Sequence, residues 1–287
     1  MLLDIKDLEF HYGDRRVLHD INFSAEAGSV VSILGPNGVG KTTLLKSIVN
    51  IHKPSSGSIF VDGQDVLTLS PKEMAKRMAY VPQSAIPGEV SVFDTVLMGR
   101  RPYIQWSASH EDMDKTWSAM QALKIDHLSL KHTNRISGGE FQKVQIARAV
   151  VQEPKILIMD EPTNNLDISN QHVTMHTIID AVRSRGMCTI MTMHDINLAV
   201  HYSDVFVFIK DGTVVSYGGL DTITEETIKE VYGIEADVVY HKGKPFVIPQ
   251  SLPPDLMHIH HSHDGHMHEH SISHHHHHHH DEDHEHH

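Results

Sequence analysis

Short apolar runs alternate with longer mixed stretches along the first 250 residues. The clearest runs cover residues 30–34, 156–159, 189–193 and 205–209. Continuous apolar runs of this length are typical of strands that are buried on both faces of a sheet. Helical stretches separate the runs, as they do in βαβ units. The pattern therefore predicts an α/β core with a mainly parallel sheet.

Two other regions have different patterns. Residues 3–10, 17–23 and 58–61 alternate apolar with polar positions, which predicts a small antiparallel β subdomain near the N-terminus. Residues 86–150 have no strong strand run, and we interpret them as an α-helical subdomain inserted into the core. Residues 41–49 are predicted to form a helix directly after the first apolar run.

The C-terminal part changes in composition. Residues 1–250 are predicted to form one folded domain, and SLPPDLM at 251–257 is predicted to be a linker. Residues 258–287 are rich in histidine and acidic residues, with too few apolar residues to bury a core. From residue 255 onward the chain holds 17 of its 28 histidines and seven acidic residues, without lysine or arginine. We therefore expect residues 258–287 to be a disordered tail.

A glycine-rich loop follows the first strand of the core. GPNGVGKT at 35–42 fits the pattern G-x-x-x-x-G-K-[ST]. Glycines let the backbone turn tightly and point its N–H groups at an anion, and the following helix adds its positive N-terminal end. Lys41 can reach the β- and γ-phosphates, the Thr42 hydroxyl can ligate Mg²⁺, and Thr43 can contact a phosphate. The loop predicts a nucleotide site built from Gly35, Pro36, Asn37, Gly38, Val39, Gly40, Lys41, Thr42 and Thr43.

Two adjacent acids end the run at 156–159. Ligands of α/β sheets bind at the carboxyl ends of the strands, so these acids are predicted to face the phosphate loop. Asp160 suits Mg²⁺, and Glu161 suits a general base that polarises the attacking water. His194, which follows the third core strand, can position that water. Gln83 in AYVPQ can touch Mg²⁺ or the water.

A second anion-binding turn precedes another predicted helix. Residues 136–150 read ISGGEFQKVQIARAV, in which Ser137, Gly138 and Gly139 would open the helix. One chain does not need two such turns for one nucleotide. The economical interpretation is that this turn serves the ATP of a second subunit.

These motifs together resemble the ATP-binding subunits of ABC transporters, in the family's order and over nearly all of residues 1–245. GPNGVGKT resembles the Walker A loop, ISGGE the signature, ILIMDE the Walker B strand and NNLD the D-loop. Gln83 and His194 match the Q-loop and switch residues. The resemblance implies a P-loop NTPase core, adenine stacking on Tyr12, a nucleotide contact from the D-loop Asp167, and a head-to-tail dimer in which the signature acts in trans.

Longer stretches narrow the resemblance. MDEPTNNLDISNQ, MTMHDINLAVHYSD and RRPYIQW are similar to importer ATPases for iron–siderophore complexes and vitamin B12. This resemblance implies two copies of the chain, two membrane permease subunits and an external binding protein. The inserted helices would receive the permeases at the cytoplasmic face of the membrane.

Composition limits the other classes of protein. The net charge of −13 argues against a nucleic-acid partner, and no apolar run approaches the length of a membrane-spanning helix. The acidic N-terminus does not read as a signal peptide, and a single cysteine, Cys188, excludes an internal disulfide framework. We therefore expect a cytosolic chain. One alternative is a soluble ABC ATPase outside transport, but such proteins usually carry a long coiled-coil insertion or two ATPase domains, and this sequence has neither. A metal-storage protein with an incidental ATPase domain is another alternative, which leaves the motif set unexplained.

The tail leaves three interpretations open. Imidazole suits Ni²⁺, Zn²⁺, Co²⁺ and Cu²⁺, so the tail is predicted to bind such ions in vitro. It can sequester or sense metal, act as a passive solvated tail, or include part of an expression tag. The first interpretation favours a metal or a metal chelate as cargo. A bare transition metal such as nickel, cobalt or zinc is therefore kept as the alternative cargo.

Overall fold

The computed structural model describes residues 1–164 and 166–250, so the predicted linker and tail lie outside the described residues. The strands are β1 (Leu3–Tyr12), β2 (Arg15–Ala25), β3 (Val30–Leu34), β4 (Ser56–Val61), β5 (Gln64–Asp65), β6 (Met78–Val81), β7 (Ile156–Asp160), β8 (Cys188–Thr192), β9 (Val205–Lys210), β10 (Thr213–Gly218), β11 (Ala236–His241) and β12 (Lys244–Pro249). The α-helices are α1 (Lys41–Ile48), α2 (Pro71–Arg77), α3 (Val92–Leu97), α4 (His110–Ala122), α5 (Gly138–Val150), α6 (Ile168–Arg183), α7 (Ile196–Tyr202) and α8 (Glu225–Tyr232).

A six-stranded sheet forms the centre of the described domain, in the order β10-β9-β3-β8-β7-β6. All neighbouring pairs are parallel except β9 with β10, which is an antiparallel edge. A second sheet, β2-β1-β4-β5, is antiparallel throughout. The prediction of an α/β fold with a mainly parallel sheet and a small N-terminal antiparallel sheet is confirmed.

The apolar residues of β3 show why its run is continuous. Val31 and Ile33 pack into one core cluster with α1 and the N-terminal sheet. Val30 and Leu34 pack into a second cluster with helices on the other face. Both faces of the strand are therefore buried, and hydrophobic burial on two sides fixes the strand at the centre of the sheet.

The chain between β6 and β7, called the helical insertion below, contains α3, α4 and α5 and none of the named strands. Its helices have strong start signals. Ser109 caps α4 and Ser137 caps α5, each in a capping box with an acidic residue three positions later. The predicted inserted α-helical subdomain is thus present.

A C-terminal hairpin of β11 and β12 was missed by the sequence analysis. It turns through Lys242 and Gly243, both with positive φ. Asn197 on α7 joins it to the domain: the Asn197 amide donates to the Val247 carbonyl at 3.1 Å, and the Val247 N–H donates to Asn197 Oδ1 at 2.9 Å. These two hydrogen bonds therefore hold the hairpin against α7, the helix that follows β8.

Candidate nucleotide and hydrolysis site

Strand order places the sequence-predicted residues at one edge of the sheet. Neighbouring strands β3, β8, β7 and β6 run parallel, so their carboxyl ends lie side by side. The phosphate loop follows β3, His194 follows β8, Glu161 follows β7 and Gln83 follows β6. Sequence separations of more than 100 residues are thereby reduced to a few strand spacings.

The phosphate loop connects β3 to α1 with three glycines of positive φ: 151° at Gly35, 80° at Gly38 and 103° at Gly40. Lys41 is buried and folds back on the loop, where its Nζ donates to the Gly35 carbonyl at 2.6 Å and the Pro36 carbonyl at 2.9 Å. Burial lowers the pKa of Lys41, whereas the carboxylates of Glu161 and Asp160 oppose this shift. A buried ammonium held this way suits a polyanion.

We expect Gly35→Ala to lower the free energy of unfolding by about 2–4 kcal/mol and to weaken ATP binding. A β-carbon at Gly35 would overlap the carbonyl oxygen of Ile209. Gly28→Ala is the matched control, because its φ is also positive at 76° but no atom lies within 4 Å of the added carbon. We expect the control to cost about 1 kcal/mol in urea unfolding. Equal losses for the two variants would contradict the close-approach argument.

A pocket of about 250 Å³ lies over the loop. Besides loop residues, its lining includes Tyr12, Arg15 and Glu161. The Tyr12 hydroxyl lies 2.9 Å from His52 Nε2, and the two rings pack edge to face. The pocket thus joins an aromatic side chain, a phosphate cradle and a carboxylate. Arg15 was missed by the sequence analysis, although it lies only three residues after Tyr12.

Asp160 is the last residue of β7 and is 2% exposed. The Thr192 hydroxyl donates to its Oδ1 at 2.7 Å, and the Tyr80 hydroxyl donates to Oδ2 at 3.4 Å. Burial raises the pKa of Tyr80, and the nearby Asp160 charge raises it further, so the phenol stays protonated. Among the residues that the structure describes, Asp160 has no lysine, arginine or histidine within 4.0 Å. A buried carboxylate without such a partner suits a divalent cation.

Glu161 is held by four groups. Its carboxylate contacts His194 Nε2 and the amides of Gln83 and Asn164, the latter at 3.0 Å. Its N–H donates to the Thr192 hydroxyl at 2.9 Å. Glu161 also has a φ of 49°, in the left-handed region that it shares with eight other non-glycine residues among those the structure describes. The structure therefore brings Glu161, Gln83 and His194 together and adds Asn164 and Thr192.

The sequence carried weak signals for the two added residues. Thr192 precedes His194 by two positions, so it ends the same strand, and Asn164 lies one turn after Glu161. Neither type of residue stands out without knowledge of which strands are neighbours.

The Ser137 turn lies at the start of α5. Ser137 Oγ accepts from the Glu140 N–H at 3.3 Å, and the Ser137 N–H donates to the Glu140 carboxylate at 2.8 Å. A β-carbon added to Gly138 would meet no atom of the chain within 4 Å, and Gly138 has no positive φ. Asp167 caps α6 by accepting from the Asn170 N–H at 2.9 Å. That hydrogen bond to the Asn170 backbone, with a second to its side chain, lowers the pKa of Asp167.

The fold and the site define a P-loop nucleoside triphosphatase with an inserted helical subdomain. A family model described as "ABC transporter" matches residues 18–164. The chain belongs to the ABC transporter family, as an ATP-binding subunit that hydrolyses ATP with water to ADP and phosphate. No helix among the described residues has the length and apolar character needed to span a bilayer.

Relatives match most of the chain. An uncharacterized ABC transporter ATP-binding protein of Methanocaldococcus jannaschii is 47% identical over 87% of this chain and 98% of its own length. The ferric enterobactin transport ATP-binding protein of Escherichia coli is 31% identical over 85% of this chain and 92% of its own. The cobalamin import ATP-binding protein of Halobacterium salinarum is 33% identical over 81% of this chain and 59% of its own length.

A solved structure has a similar fold. It is described as an inward-facing conformation of an ABC transporter assigned to the metal-chelate type. Its matching chain has a TM-score of 0.75 and 28% identity, and the match covers 89% of this chain and 99% of that one.

Proposed function

We propose that the chain is the ATPase subunit of an importer for an iron–siderophore complex or cobalamin, and that it works as a head-to-tail dimer of two copies. One observation carries the proposal: Glu161 is fixed by Gln83, His194 and Asn164 beside the phosphate loop. That arrangement supports hydrolysis. The names of the relatives support the class of cargo.

In this proposal the nucleotide lies in the pocket over the loop. Tyr12 stacks on the adenine, and the N–H groups of residues 35–43 and the Lys41 ammonium bind the phosphates. Thr42, Gln83 and Asp160 present the oxygen ligands that Mg²⁺ prefers, and the bound ion would neutralise charge on the β- and γ-phosphates.

Glu161 acts as the general base in the proposed reaction. Its carboxylate accepts a proton from the water that attacks the γ-phosphate, and the contacts with His194, Gln83 and Asn164 limit the rotation of that carboxylate. His194 lies on the opposite side of that carboxylate from the β6 end and positions the water. When the γ-phosphate is lost, the contacts that close the dimer are lost with it.

The second copy would complete each ATP site. Gly138 lacks both a backbone requirement for glycine and a close neighbour in its own chain. A glycine in that setting is explained by the approach of a group from outside the chain. We propose that Ser137, Gly138 and Gly139 contact the γ-phosphate bound by the other copy, with Asp167 at the same interface.

Mixing two inactive variants tests this arrangement. Lys41→Ala removes the phosphate-binding charge, and Gly138→Asp blocks the outward surface of the signature turn. We expect each variant alone to lack ATPase activity. In a mixed dimer, one site combines the intact loop of the Gly138→Asp chain with the intact turn of the Lys41→Ala chain. We expect partial recovery of phosphate release on mixing.

The control is a mixture of Lys41→Ala with a Lys41→Ala, Gly138→Asp double variant, which contains no intact pair of loop and turn. Recovery in this control, or none in the test mixture, would contradict the trans arrangement.

Two membrane permease subunits are the proposed partners, with an external binding protein acting through them at the other side of the membrane. The helical insertion exposes large apolar side chains, including Trp106 at 98%, Ile86 at 96% and Leu130 at 89%. Such exposure is typical of interaction surfaces. We propose that this surface holds the chain at the cytoplasmic face of the membrane.

A bare transition metal such as nickel, cobalt or zinc is the second candidate cargo, because 17 histidines lie in the C-terminal 33 residues. Uptake of labelled ferric siderophore, cobalamin and bare metal by cells lacking the chain separates the candidates. We expect loss of the chelate or cobalamin uptake. Loss of bare-metal uptake alone would replace the first candidate by the second.

A further inference from the structure

A cavity of about 650 Å³ lies beside the hydrolysis site and is larger than the pocket over the phosphate loop. Its walls are the start of α6, the helix α7 and the C-terminal hairpin. Cavities that bind small organic ligands are typically about 300–1,000 Å³. The nucleotide site described above does not use this cavity.

The lining has an apolar part. Ile168 is 77% exposed and Phe246 is 49% exposed, and both line the cavity with Leu198 and Pro245. Exposed side chains of this size add little to the stability of the domain. An apolar ligand group would cover them and gain free energy from their removal from water.

The polar part of the lining is mostly basic. Lys242, Lys244, His172, His201 and His241 contribute to it. Asp195 is the one acid among the described lining residues, and its Oδ1 already accepts from the Leu198 N–H at 3.0 Å. The two lysines outnumber this acid, and that balance of charge favours an anionic ligand.

The two lysines differ in their contacts. Lys244 Nζ donates to the His201 carbonyl at 2.9 Å at the end of α7. Lys242 makes no hydrogen bond or ion pair with any other described residue, although it is at the tip of the hairpin that borders the cavity. Burial lowers the pKa of His201, and the nearby Lys244, His172 and His176 lower it further.

One wall is shared with the hydrolysis site. Gln171, Asp195 and Leu198 line both this cavity and a smaller one that contains Glu161 and His194. Asp195 directly follows His194 and caps α7, whose other end is held by Lys244. A ligand that displaces α7 would therefore also displace its first residues, which directly follow His194.

From these observations we propose that the cavity binds a small organic anion with an apolar or aromatic part, and that its occupancy changes the rate of ATP hydrolysis through α7. The binding step is independent of the proposed function. The effect on rate rests on the proposed role of His194.

Binding is tested with anilinonaphthalene sulfonate, which joins an anionic group to aromatic rings, on the full chain with ADP in excess to fill the nucleotide pocket. We expect one saturable site per chain by fluorescence titration. Lys242→Asn removes the charge and retains a residue that favours positive φ, so the hairpin should persist. We expect about tenfold weaker binding in Lys242→Asn and in Phe246→Ser.

The matched control is Lys131→Asn, which changes an exposed loop lysine that does not line the cavity. Unchanged affinity in Lys242→Asn, or an equal loss in Lys131→Asn, would overturn the site. If the probe is released when ATP drives the Glu161→Gln chain into a dimer, the second copy covers the cavity. This result would also overturn the proposed ligand site.

The effect on hydrolysis is measured as phosphate release against probe concentration. We expect kcat of the unaltered chain to change over the concentration range in which the probe binds, and the midpoint to move about tenfold higher in Lys242→Asn. An unchanged kcat at saturating probe would overturn the coupling through α7. Failure of the binding titration would overturn the site while leaving the proposed function intact.

Discussion

Replacing Glu161 by glutamine is expected to lower kcat for ATP hydrolysis by about 10²–10⁴-fold. The substitution keeps the shape of the side chain and its capacity to contact the Gln83 and Asn164 amides, but it removes the basic oxygen. ATP binding should persist, because the phosphate loop and Lys41 are unchanged. Phosphate release under saturating ATP and calorimetric titration with ATP measure the two quantities.

The same variant should accumulate as an ATP-bound dimer, since the nucleotide that joins the two copies is no longer hydrolysed. Sedimentation velocity with and without ATP measures this. Glu89→Gln, which changes an exposed glutamate away from the site, is the control and should keep both turnover and the monomer–dimer distribution of the unaltered chain. A Glu161→Gln chain that stays monomeric with normal ATPase activity would refute the proposed base and the proposed dimer together.

The second large effect is expected on stability. Arg100 is 3% exposed and, within the helical insertion, joins the start of α4 to the end of α5. Its Nε donates to Asp112 Oδ1 at 2.9 Å, its Nη1 donates to the Val151 carbonyl at 2.9 Å, and the guanidinium stacks on the Tyr103 ring at 4.0 Å. Arg100→Leu would leave the Asp112 carboxylate largely buried without its cation. We expect a loss of about 3–5 kcal/mol in the free energy of unfolding.

Urea unfolding of the full chain measures this loss. The matched control is Arg183→Leu, because Arg183 also pairs with an aspartate, Asp204, at 3.0 Å but is half exposed. We expect the control to cost less than about 1 kcal/mol, as is usual for exposed ion pairs. A similar loss in both variants would mean that burial of the Arg100 pair does not contribute as described.

Part of the fold could be predicted because its signal is local. The four apolar runs of the parallel sheet are found in β3, β7, β8 and β9, with ends shifted by no more than one residue. Burial on two faces favours apolar side chains at most positions, with only a few small polar residues such as Ser32 and Thr189 between them, so these strands are visible in the sequence. The hairpin of β11 and β12 was missed because several of its apolar positions are exposed, as with Val239 and Ile248, so its strands do not form a buried apolar run.

Some residues of the candidate site could likewise be predicted from local sequence, and others could not. The phosphate loop was recognisable because its glycines, lysine and threonine are adjacent in the chain and each has a local requirement. Thr192 and Asn164 could not be assigned, since their roles depend on the distance to Asp160 and Glu161 across the sheet edge. The ion pairs of Arg100 could not be predicted either, because the two carboxylates that it contacts at 2.9 Å, Asp112 and Glu153, lie 12 and 53 residues away in the sequence.

The sequence by itself determined the class of protein, its nucleotide loop, its acidic pair and the order of its motifs. Each of these features consists of consecutive residues, and the backbone conformation or charge that it needs is set by those residues alone. Only the tertiary structure decided which strand ends are neighbours, how Glu161 is held, that the Gly138 surface is open and that a basic cavity adjoins α7. Those properties arise from the order β3-β8-β7-β6 and from packing between residues far apart in the chain, which no local pattern specifies.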